Sequence, residues 1–330
     1  MNANPTIIAE ISCNHLGSLD RALELILMAR YVGADAVKLQ CWSQSQMVAD
    51  PTYKIEAGTW AGRNLYDLYQ EAWTPWEWFP TLFDYARSIG IECFSSVFDV
   101  SALAYLEFLR CPRYKIASFE IVDLPLIRAV VRTGKPIIIS TGMASREEIG
   151  SAWDEATQAD NDVTILKCTS AYPASAASAN LATMERFQSH RVKCGVSDHT
   201  LGLVVPIAAT ALGATMIEKH LTLKRADGGP DAAFSSEPEE FRAMVHTCRE
   251  AAHARGIVRY GPTEEEESSL QFRRSLYWAQ DVVEGELIKR KHFQSSRPAL
   301  GLPPVAADRL VGSPAKLAAK RGQPVTMEWL

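Results

Sequence analysis

The sequence predicts a (β/α)8 TIM barrel followed by a small β-rich module. Eight short apolar runs recur along the first 220 residues, and stretches with helical spacing separate them. Continuous runs rich in Val, Ile and Leu are typical of parallel strands that are covered on both faces. Eight strand–helix units in about 250 residues match the length of such a barrel. A doubly wound open sheet is the alternative, but eight units exceed its usual count.

The eight predicted strands alternate with predicted helices such as 19–34 and 124–134, which run to a glycine, a common signal for the end of a helix. The last predicted helix spans 238–256. The predicted strands are 6–12, 35–42, 91–98, 114–120, 136–142, 163–170, 192–198 and 215–220.

A long insertion, residues 43–80, separates the second and third predicted strands and carries tryptophans at 60, 73, 76 and 78. Long connections after barrel strands lie on the catalytic face and are often functional. We therefore expect the insertion to contribute to the site; the alternative is a packed surface Ω-loop.

The composition changes after the predicted barrel, which we assign to residues 1–258. Residues 259–269 are an acidic linker that includes "GPTEEEESS" (261–269), and residues 270–330 form a compact β-rich module. Its predicted strands lie in "RRSLYWAQDV", "GELIKRKHF", "RPALGLPP" and "GQPVTMEWL". The module is too short to be a large catalytic domain.

Composition and charge exclude several classes of protein. A net charge of −5 provides no attraction to nucleic acid or to an anionic membrane. The longest apolar stretch, 201–217, is interrupted by Pro206 and Gly213, and the first apolar run lacks the basic region of a secretory signal. The seven cysteines show no CxxC pair, and most lie in apolar runs. These features predict a cytoplasmic protein in a reducing compartment.

Polar residues stand at the carboxyl end of every predicted strand, where barrel enzymes place their reacting groups. A packing core alone would not require them there, so we predict a site at this end of the barrel. The residues are Glu10, Asn14, His15, Lys38, Gln40, Ser95, Ser96, Lys115, Ser118, Glu120, Ser140, Thr141, Lys167, Thr169, Ser170, Tyr172, Ser197, Asp198, Glu218 and Lys219.

Two histidines end neighbouring strands, in "KCGVSDHTLG" and "TMIEKHLTL". His199 and His220 occupy equivalent positions, so their side chains should lie about 5 Å apart across the sheet. Two neutral imidazoles with oxygen ligands suit Mn²⁺, Zn²⁺ or Co²⁺. The pair predicts a metal site, and His15 is a weaker third candidate ligand.

Lys38 and Lys115 fall inside predicted buried strands, where a lysine requires an anionic partner. Protein carboxylates could fill that role, but the surrounding serine and threonine hydroxyls favour a phosphate or carboxylate ligand. Alternatives remain: a Schiff-base aldolase that uses Lys115 or Lys167, and a non-catalytic protein whose C-terminal module reads a sugar.

The ordered motifs resemble the sialic acid synthase family from about residue 6 to the C-terminal end. They include "IIAEISCNH", "GADAVKLQ", "YKIASFE", "LKCTSAYP", "GVSDHTLG", "IEKHLTL" and "GGPDAAFS". The segment "FRRSLYWAQDVVEGE…RPALGL" resembles the antifreeze-like (SAF) domain of the family. "GTWAGRNLYDLYQEAWTPWEW" and Ser170 in "CTSAYPA" are typical of the branch that makes pseudaminic acid.

The resemblance implies a metal-dependent condensation of phosphoenolpyruvate with 2,4-diacetamido-2,4,6-trideoxy-L-altrose. The alternatives within the family are N-acetylneuraminate and legionaminate synthases, which use other amino sugars. Mn²⁺ is the expected ion, with Mg²⁺ or Co²⁺ as alternatives, and the protein is expected to be a homodimer.

The resemblance also implies roles for individual residues. Glu10 would handle the proton of the attacking water, and Arg297 would reach the sugar from the partner subunit's C-terminal domain. His199 and His220 would bind the metal. Phosphoenolpyruvate would contact Lys38, Ser96, Lys115, Ser118, Ser140 and Ser197, and the sugar would contact Gln40, Glu120, Tyr172 and Asp231.

Overall fold

Eight parallel strands close into a barrel in the computed structural model, which describes residues 4–329. Each strand pairs with the next along the chain, and the eighth pairs with the first. The closed sheet confirms the predicted barrel and excludes the open doubly wound sheet. The strands are β1 Thr6–Glu10, β2 Ala36–Cys41, β3 Glu92–Val97, β4 Tyr114–Ile116, β5 Ile137–Ser140, β6 Val163–Cys168, β7 Lys193–Asp198 and β8 Met216–His220.

The helices end earlier than the sequence pattern predicts. The first ends at Tyr31 and the sixth at Val131, because Gly33 and Gly134 take positive φ angles of 90° and 70° that turn the chain toward the next strand. The helices of this unit are α1 Leu19–Tyr31, α2 Gln44–Met47, α3 Leu65–Ala72, α4 Phe79–Ser88, α5 Val100–Phe108, α6 Leu124–Val131, α7 Arg146–Ala156, α8 Thr183–Ser189, α9 Val204–Ala211 and α10 Pro238–Arg255.

The strands are buried on both faces, which explains their continuous apolar runs. Ile7, Val37 and Ile139 are fully buried in one hydrophobic core between the strands and the surrounding helices. Gly195 lies so close to the backbone of Met216 that a Cβ atom would overlap it. The glycine therefore permits the close pairing of β7 and β8, the two strands that carry the histidines.

The insertion after β2 contains α2, α3 and a 3₁₀ helix, Trp76–Trp78, and it leads into α4. Between α2 and α3 the chain folds back on itself in a narrow arm, residues 53–65. The Ile55 N–H donates to the Arg63 carbonyl at 2.9 Å, and the Gly62 N–H donates to the Ile55 carbonyl at 2.8 Å. The insertion is thus an ordered structure with its own backbone hydrogen bonds.

A second unit begins at Val258 and has its own core, which includes Trp278 and Trp329. It contains one antiparallel pair, β9 Ser275–Trp278 and β10 Phe293–Ser296, and a short helix, α11 Ala307–Leu310. The segment 259–269 contains the start of a 3₁₀ helix, Glu264–Phe272, that belongs to this unit.

The four strands predicted for the second unit are largely wrong. The first predicted segment contains β9, whereas β10 begins at Phe293, the last residue of the second segment, and ends before the third. Within residues 297–329 the structure has isolated bridges, turns and short helices, and it has no strand longer than a single bridge. Prolines at 298, 303, 304 and 324 lack the N–H donor that a ladder requires. The ends of the predicted domains, residues 1–3 and 330, lie outside the described residues.

All seven cysteines are buried free thiols. Within residues 4–329, every helix is too short or too polar to cross a bilayer.

Candidate active site

Four charged side chains meet inside the barrel and form what we call the charge cluster: Glu10, Lys38, Lys115 and Glu218. Lys115 Nζ donates to both carboxylate oxygens of Glu218, at 3.0 and 3.1 Å. Lys38 Nζ forms an ion pair with Glu10 and lies 3.9 Å from Glu218 Oε1. All four side chains are buried. The protein's own carboxylates therefore neutralise the two strand lysines.

Burial and the two lysines shift the pKa of Glu218 in opposite directions. Burial alone would raise the pKa of Glu218, but the Lys115 and Lys38 ammonium groups outweigh it and bring the pKa to about 2. Burial lowers the pKa of Lys38 to about 7, and the negative charges of Glu218 and Asp231 oppose that change. Glu218 is accordingly a permanent anion at neutral pH and a fixed partner for Lys115.

Serine hydroxyls surround the charge cluster. Ser96 Oγ accepts from Lys38 Nζ at 3.0 Å, and Ser197 Oγ donates to Glu218 Oε1 at 2.9 Å. Ser118 Oγ accepts from the backbone N–H of Gly142 at 3.1 Å, whereas the buried Ser140 Oγ has no hydrogen-bond partner. An unpaired buried hydroxyl is costly, so a ligand atom is a natural partner for Ser140.

The two histidines lie beside the charge cluster, with ring centroids 5.4 Å apart. His199 Nδ1 is 3.0 Å from the Thr169 carbonyl, an arrangement that leaves Nε2 as the ring's lone-pair donor when Nδ1 carries the proton. His220 Nδ1 is buried without a hydrogen-bond partner and lies 3.7 Å from Asp231 Oδ2. Burial, and next the positive charge of His199, lower the pKa of His220 well below its ordinary value. The His220 ring is therefore neutral.

A divalent metal fits this pair of rings. The orphaned Nδ1 of His220 is a buried acceptor in need of a donor or a cation, and neutral imidazole is a common ligand for first-row divalent ions. Residues 4–329 contain no cluster of three or more His, Cys, Asp or Glu side chains with metal-ligand geometry. The protein can thus supply the two imidazoles, and other ligands would come from substrate or water.

His15 is not a metal ligand, so its assignment as a third candidate was wrong. Its Nε2 is hydrogen-bonded to Thr74 Oγ1 at 3.0 Å, and its Nδ1 accepts from the Gly17 N–H at 3.1 Å. Burial lowers the pKa of His15 to about 4, which keeps the ring neutral. Both nitrogens are used in fixing the loop after β1.

A cavity of about 360 Å³ opens beside His220 and is the candidate sugar site. Gln40, Tyr172 and Asp231, three of the predicted sugar contacts, line it together with His220. Tyr172 also packs on His199, with ring centroids 4.4 Å apart. The structure thus brings these three predicted contacts together beside His220.

The other two predicted sugar contacts are Glu120 and Arg297. Glu120 is half-buried in the turn after β4, where its Oε2 has no hydrogen-bond partner, and burial raises its pKa to about 7. Arg297 is exposed on the second unit, and its contact with a sugar remains a prediction.

The insertion is fastened over the cavity by hydrogen bonds to main-chain carbonyls. Trp60 Nε1 donates to the Pro230 carbonyl at 3.2 Å, and Thr59 Oγ1 donates to the Tyr172 carbonyl. The Trp60 ring lies 5.4 Å from the Tyr172 ring. At the other end of the insertion, Trp76 Nε1 donates to the Trp42 carbonyl at 2.8 Å. The arm therefore forms a roof that links the loops after β6 and β8.

Glu218 was predicted only as one of the polar strand-end residues and was given no role of its own, although it joins both lysines and Ser197. The sequence places it two residues before His220, but its neighbours Asp198 and Lys219 have equally polar side chains. Those two pair with each other, at 2.5 Å between Lys219 Nζ and Asp198 Oδ2. The available signal was the alternation of side chains along a strand. Glu218 lies two residues before His220, so the two side chains are on the same face of β8.

The two candidate Schiff-base lysines both have hydrogen-bond partners. Lys115 Nζ donates to the Glu218 carboxylate at 3.0 Å, and Lys167 Nζ donates to the Cys168 carbonyl at 2.7 Å. Burial lowers the pKa of Lys167. A nucleophilic amine must be neutral, so the fixed negative charge beside Lys115 opposes that use.

Known proteins resemble this chain over nearly its whole length. The NeuB family profile matches residues 25–260. Pseudaminic acid synthase from Helicobacter pylori is 42% identical, with 98% of this chain and 97% of that protein covered. Pseudaminic acid synthase from Campylobacter jejuni serotype O:23/36 is 38% identical over 94% of this chain and 92% of its own. N,N'-diacetyllegionaminic acid synthase from Legionella pneumophila is 33% identical over 98% of this chain and 93% of its own.

A solved structure has the same fold. The crystal structure of N-acetylneuraminic acid synthetase from Leptospira borgpetersenii, in complex with citrate, superposes with a TM-score of 0.76 and 29% identity. It covers 82% of this chain and 92% of its own. With the family profile matched over most of the barrel and relatives well above 30% identity, this chain belongs to the NeuB family, the sialic acid synthases that its motifs resemble.

Proposed function

We propose that the protein is a pseudaminic acid synthase that condenses phosphoenolpyruvate with 2,4-diacetamido-2,4,6-trideoxy-L-altrose and releases phosphate. Identity of 42% and 38% to two proteins named pseudaminic acid synthase, each over more than nine-tenths of this chain, carries the proposal. A site with two ion-paired lysines, the unpartnered Ser140 hydroxyl and two neighbouring imidazoles supports the chemistry. Legionaminate synthases are further relatives, at 33% identity for the Legionella pneumophila protein.

The lysines and serines bind the anion in this proposal. An ammonium group has three N–H donors, and Lys115 uses two of them on Glu218. Its third donor, together with the unpartnered Ser140 Oγ, can reach phosphoenolpyruvate. Lys38, Ser96, Ser118 and Ser197 complete the predicted contacts. The carboxylates of the charge cluster hold the lysines in place until the anion arrives.

The reaction joins carbon 3 of phosphoenolpyruvate to the aldehyde carbon of the sugar. Water then adds at carbon 2, and the resulting intermediate expels phosphate to leave the 2-keto acid. Of the two protons of the water, one ends on the former aldehyde oxygen and the other leaves with the departing phosphate as the carbon-2 hydroxyl becomes the ketone, so no net proton is consumed. Glu10, buried beside Lys38 with its Oε1 accepting from the Ser12 N–H at 2.6 Å, takes the proton of the water.

His199 and His220 would hold the divalent ion, for which Mn²⁺ is our first expectation and Mg²⁺ or Co²⁺ the alternatives. When bound, the ion would supply Lewis-acid polarisation of the aldehyde oxygen. Asp231, beside His220, and Tyr172, stacked near His199, position the sugar at this pair. Burial raises the pKa of Tyr172, so its hydroxyl stays protonated as a hydrogen-bond donor.

The second unit completes the proposal. It is an antifreeze-like (SAF) domain, and in a homodimer its Arg297 contacts the sugar bound by the partner subunit. The barrel occupies residues 1–258, the acidic linker 259–269 and the second domain 270–330, and the enzyme works in the cytoplasm.

A phosphate-release assay with a panel of sugars tests the proposed function. The full-length protein, with Mn²⁺ and phosphoenolpyruvate, should release phosphate with the diacetamido-trideoxy-altrose and much more slowly with N-acetylmannosamine or the legionaminate precursor. EDTA should stop the release and Mn²⁺ restore it. Release that survives EDTA, or an adduct trapped by borohydride, would instead support a Schiff-base aldolase.

A further inference from the structure

A second buried ion pair lies on the outer face of β7 and β8, away from the charge cluster. Asp198 and Lys219 are direct neighbours across the two strands, and they are only 3% and 1% exposed. Side chains alternate along a strand, so Lys219 faces away from Glu218 and toward the surrounding helices. Burial raises the pKa of the Cys248 thiol on α10, and the charges of Asp198 and Lys219 act on that thiol as well. The pair therefore lies against this helix, on the opposite side of the sheet from the phosphoenolpyruvate contacts.

A buried ion pair in this position needs a reason other than stability, because apolar side chains of similar size often serve the packing equally well. Its hydrogen bonds show what the pair adds. Lys219 Nζ donates to Asp198 Oδ2 at 2.5 Å and also donates to the Thr200 carbonyl. Asp198 Oδ1 accepts from the Thr200 N–H at 3.0 Å. The pair thus holds both backbone groups of the residue that follows His199.

The turn that carries His199 is fixed on two sides. On one side, the His199 carbonyl accepts from the Ala174 N–H, and its Nδ1 lies 3.0 Å from the Thr169 carbonyl, both in the loop after β6. On the other side, the turn is attached to Lys219 of β8 through Thr200. Lys219 is also the residue before His220. One side chain therefore ties the turn that carries the first imidazole to the strand that carries the second.

We propose that Lys219 is a positioning residue, which acts with Asp198 to set the spacing of the His199 and His220 imidazoles before a metal binds. The inference rests on the metal site of the proposed function and adds a new pair of residues to it. Ligands that are already held in place lose less freedom when the ion binds, so affinity depends on the groups that hold them. Removing such groups lowers metal affinity by about 10- to 100-fold.

The double variant Asp198→Asn/Lys219→Met tests the proposal. It removes both charges and the donor to the Thr200 carbonyl, while Asn keeps an acceptor for the Thr200 N–H. The Kd for Mn²⁺ of the full-length, metal-free protein is measured from the electron paramagnetic resonance signal of free Mn²⁺. We expect this Kd to rise by about 10- to 100-fold. The KM for phosphoenolpyruvate should not change, because the charge cluster lies on the other face of the sheet.

The matched control is the double variant Arg128→Met/Glu155→Gln. It removes an ion pair between α6 and α7 that includes the buried Glu155 carboxylate, and it should keep the Kd of the parent. A folded Asp198→Asn/Lys219→Met variant with the parent's Kd would overturn the inference and leave the proposed function intact. Equal rises in the Kd and in the KM would also overturn it, because a general loosening of the barrel would explain both. A parent that binds no Mn²⁺ would refute the metal site and the inference together.

Hydrogen exchange at the Thr200 amide of the parent tests the same proposal if the double variant does not fold. In the metal-free protein this amide should be protected as strongly as the amides of β7, because the ion pair already holds the turn. Fast exchange that slows only after Mn²⁺ is added would overturn the inference, since the ion and not Lys219 would then order the turn.

Discussion

Glu218→Gln should destabilise the barrel, because the Glu218 carboxylate is the buried counter-ion of Lys115. The fall of the Glu218 pKa from 4.5 to about 2 corresponds to about 3 kcal/mol, since one pKa unit is worth about 1.4 kcal/mol. Removing one partner of a buried ion pair costs about 3–5 kcal/mol, which agrees with the value from the pKa. For a unit of this size we expect the melting temperature to fall by about 6–12 °C at neutral pH.

Thermal unfolding followed by far-UV circular dichroism measures this effect, with Glu24→Gln on the exposed face of α1 as the matched control. A carboxylate with a lowered pKa stabilises the fold above its unfolded pKa. The difference between the variant and the parent should therefore be constant above about pH 5 and shrink as the pH falls toward 2. Inorganic phosphate should raise the melting temperature of the variant more than that of the parent, because Lys115 then lacks a counter-ion. If the melting temperature of Glu218→Gln equals that of the control at neutral pH, the assignment of Glu218 as the essential partner of Lys115 is refuted.

Three further substitutions test the site. His220→Ala should reduce Mn²⁺-dependent phosphate release by more than about 100-fold with an unchanged dichroism spectrum; undiminished turnover would remove the metal mechanism. Gly142→Ala should raise the KM for phosphoenolpyruvate about tenfold, because the added Cβ would overlap both Ser170 Oγ and Ser118 Oγ; an unchanged KM would show that Ser118 is not a contact. Arg297→Ala should raise the KM for the sugar alone about tenfold, and normal kinetics from a monomeric protein would contradict the cross-subunit contact.

The barrel could be predicted from the sequence because each strand carries its own signal. Val37 and Ile139 lie in apolar runs that need no knowledge of their neighbours. The ends of the elements were less predictable. The run 114–120 reads as one strand, but β4 stops at Ile116, because the chain turns there and the Glu120 N–H donates to the Ala117 carbonyl.

Pairings across the barrel were the part that the sequence could not supply. Lys115 requires an anion, and Glu10, Glu120 and Glu218 are all strand-end carboxylates, so local sequence does not identify its partner. The answer depends on the closure of the barrel, which brings together residues 103 positions apart. His15 shows the converse. Its position suggested a metal ligand, but its Nε2 is hydrogen-bonded to Thr74 from the distant insertion.

The floor and the roof of the site are built from separate stretches of chain. The charge cluster stands on strands β1, β2, β4 and β8, whereas the arm is attached through the main-chain carbonyls of residues 172 and 230. Every amino acid has such a carbonyl, so the side chains at these anchor points can change without releasing the arm. Substitutions on the inner surface of the arm could therefore change which sugar is bound, while the charge cluster that serves the phosphate chemistry stays the same.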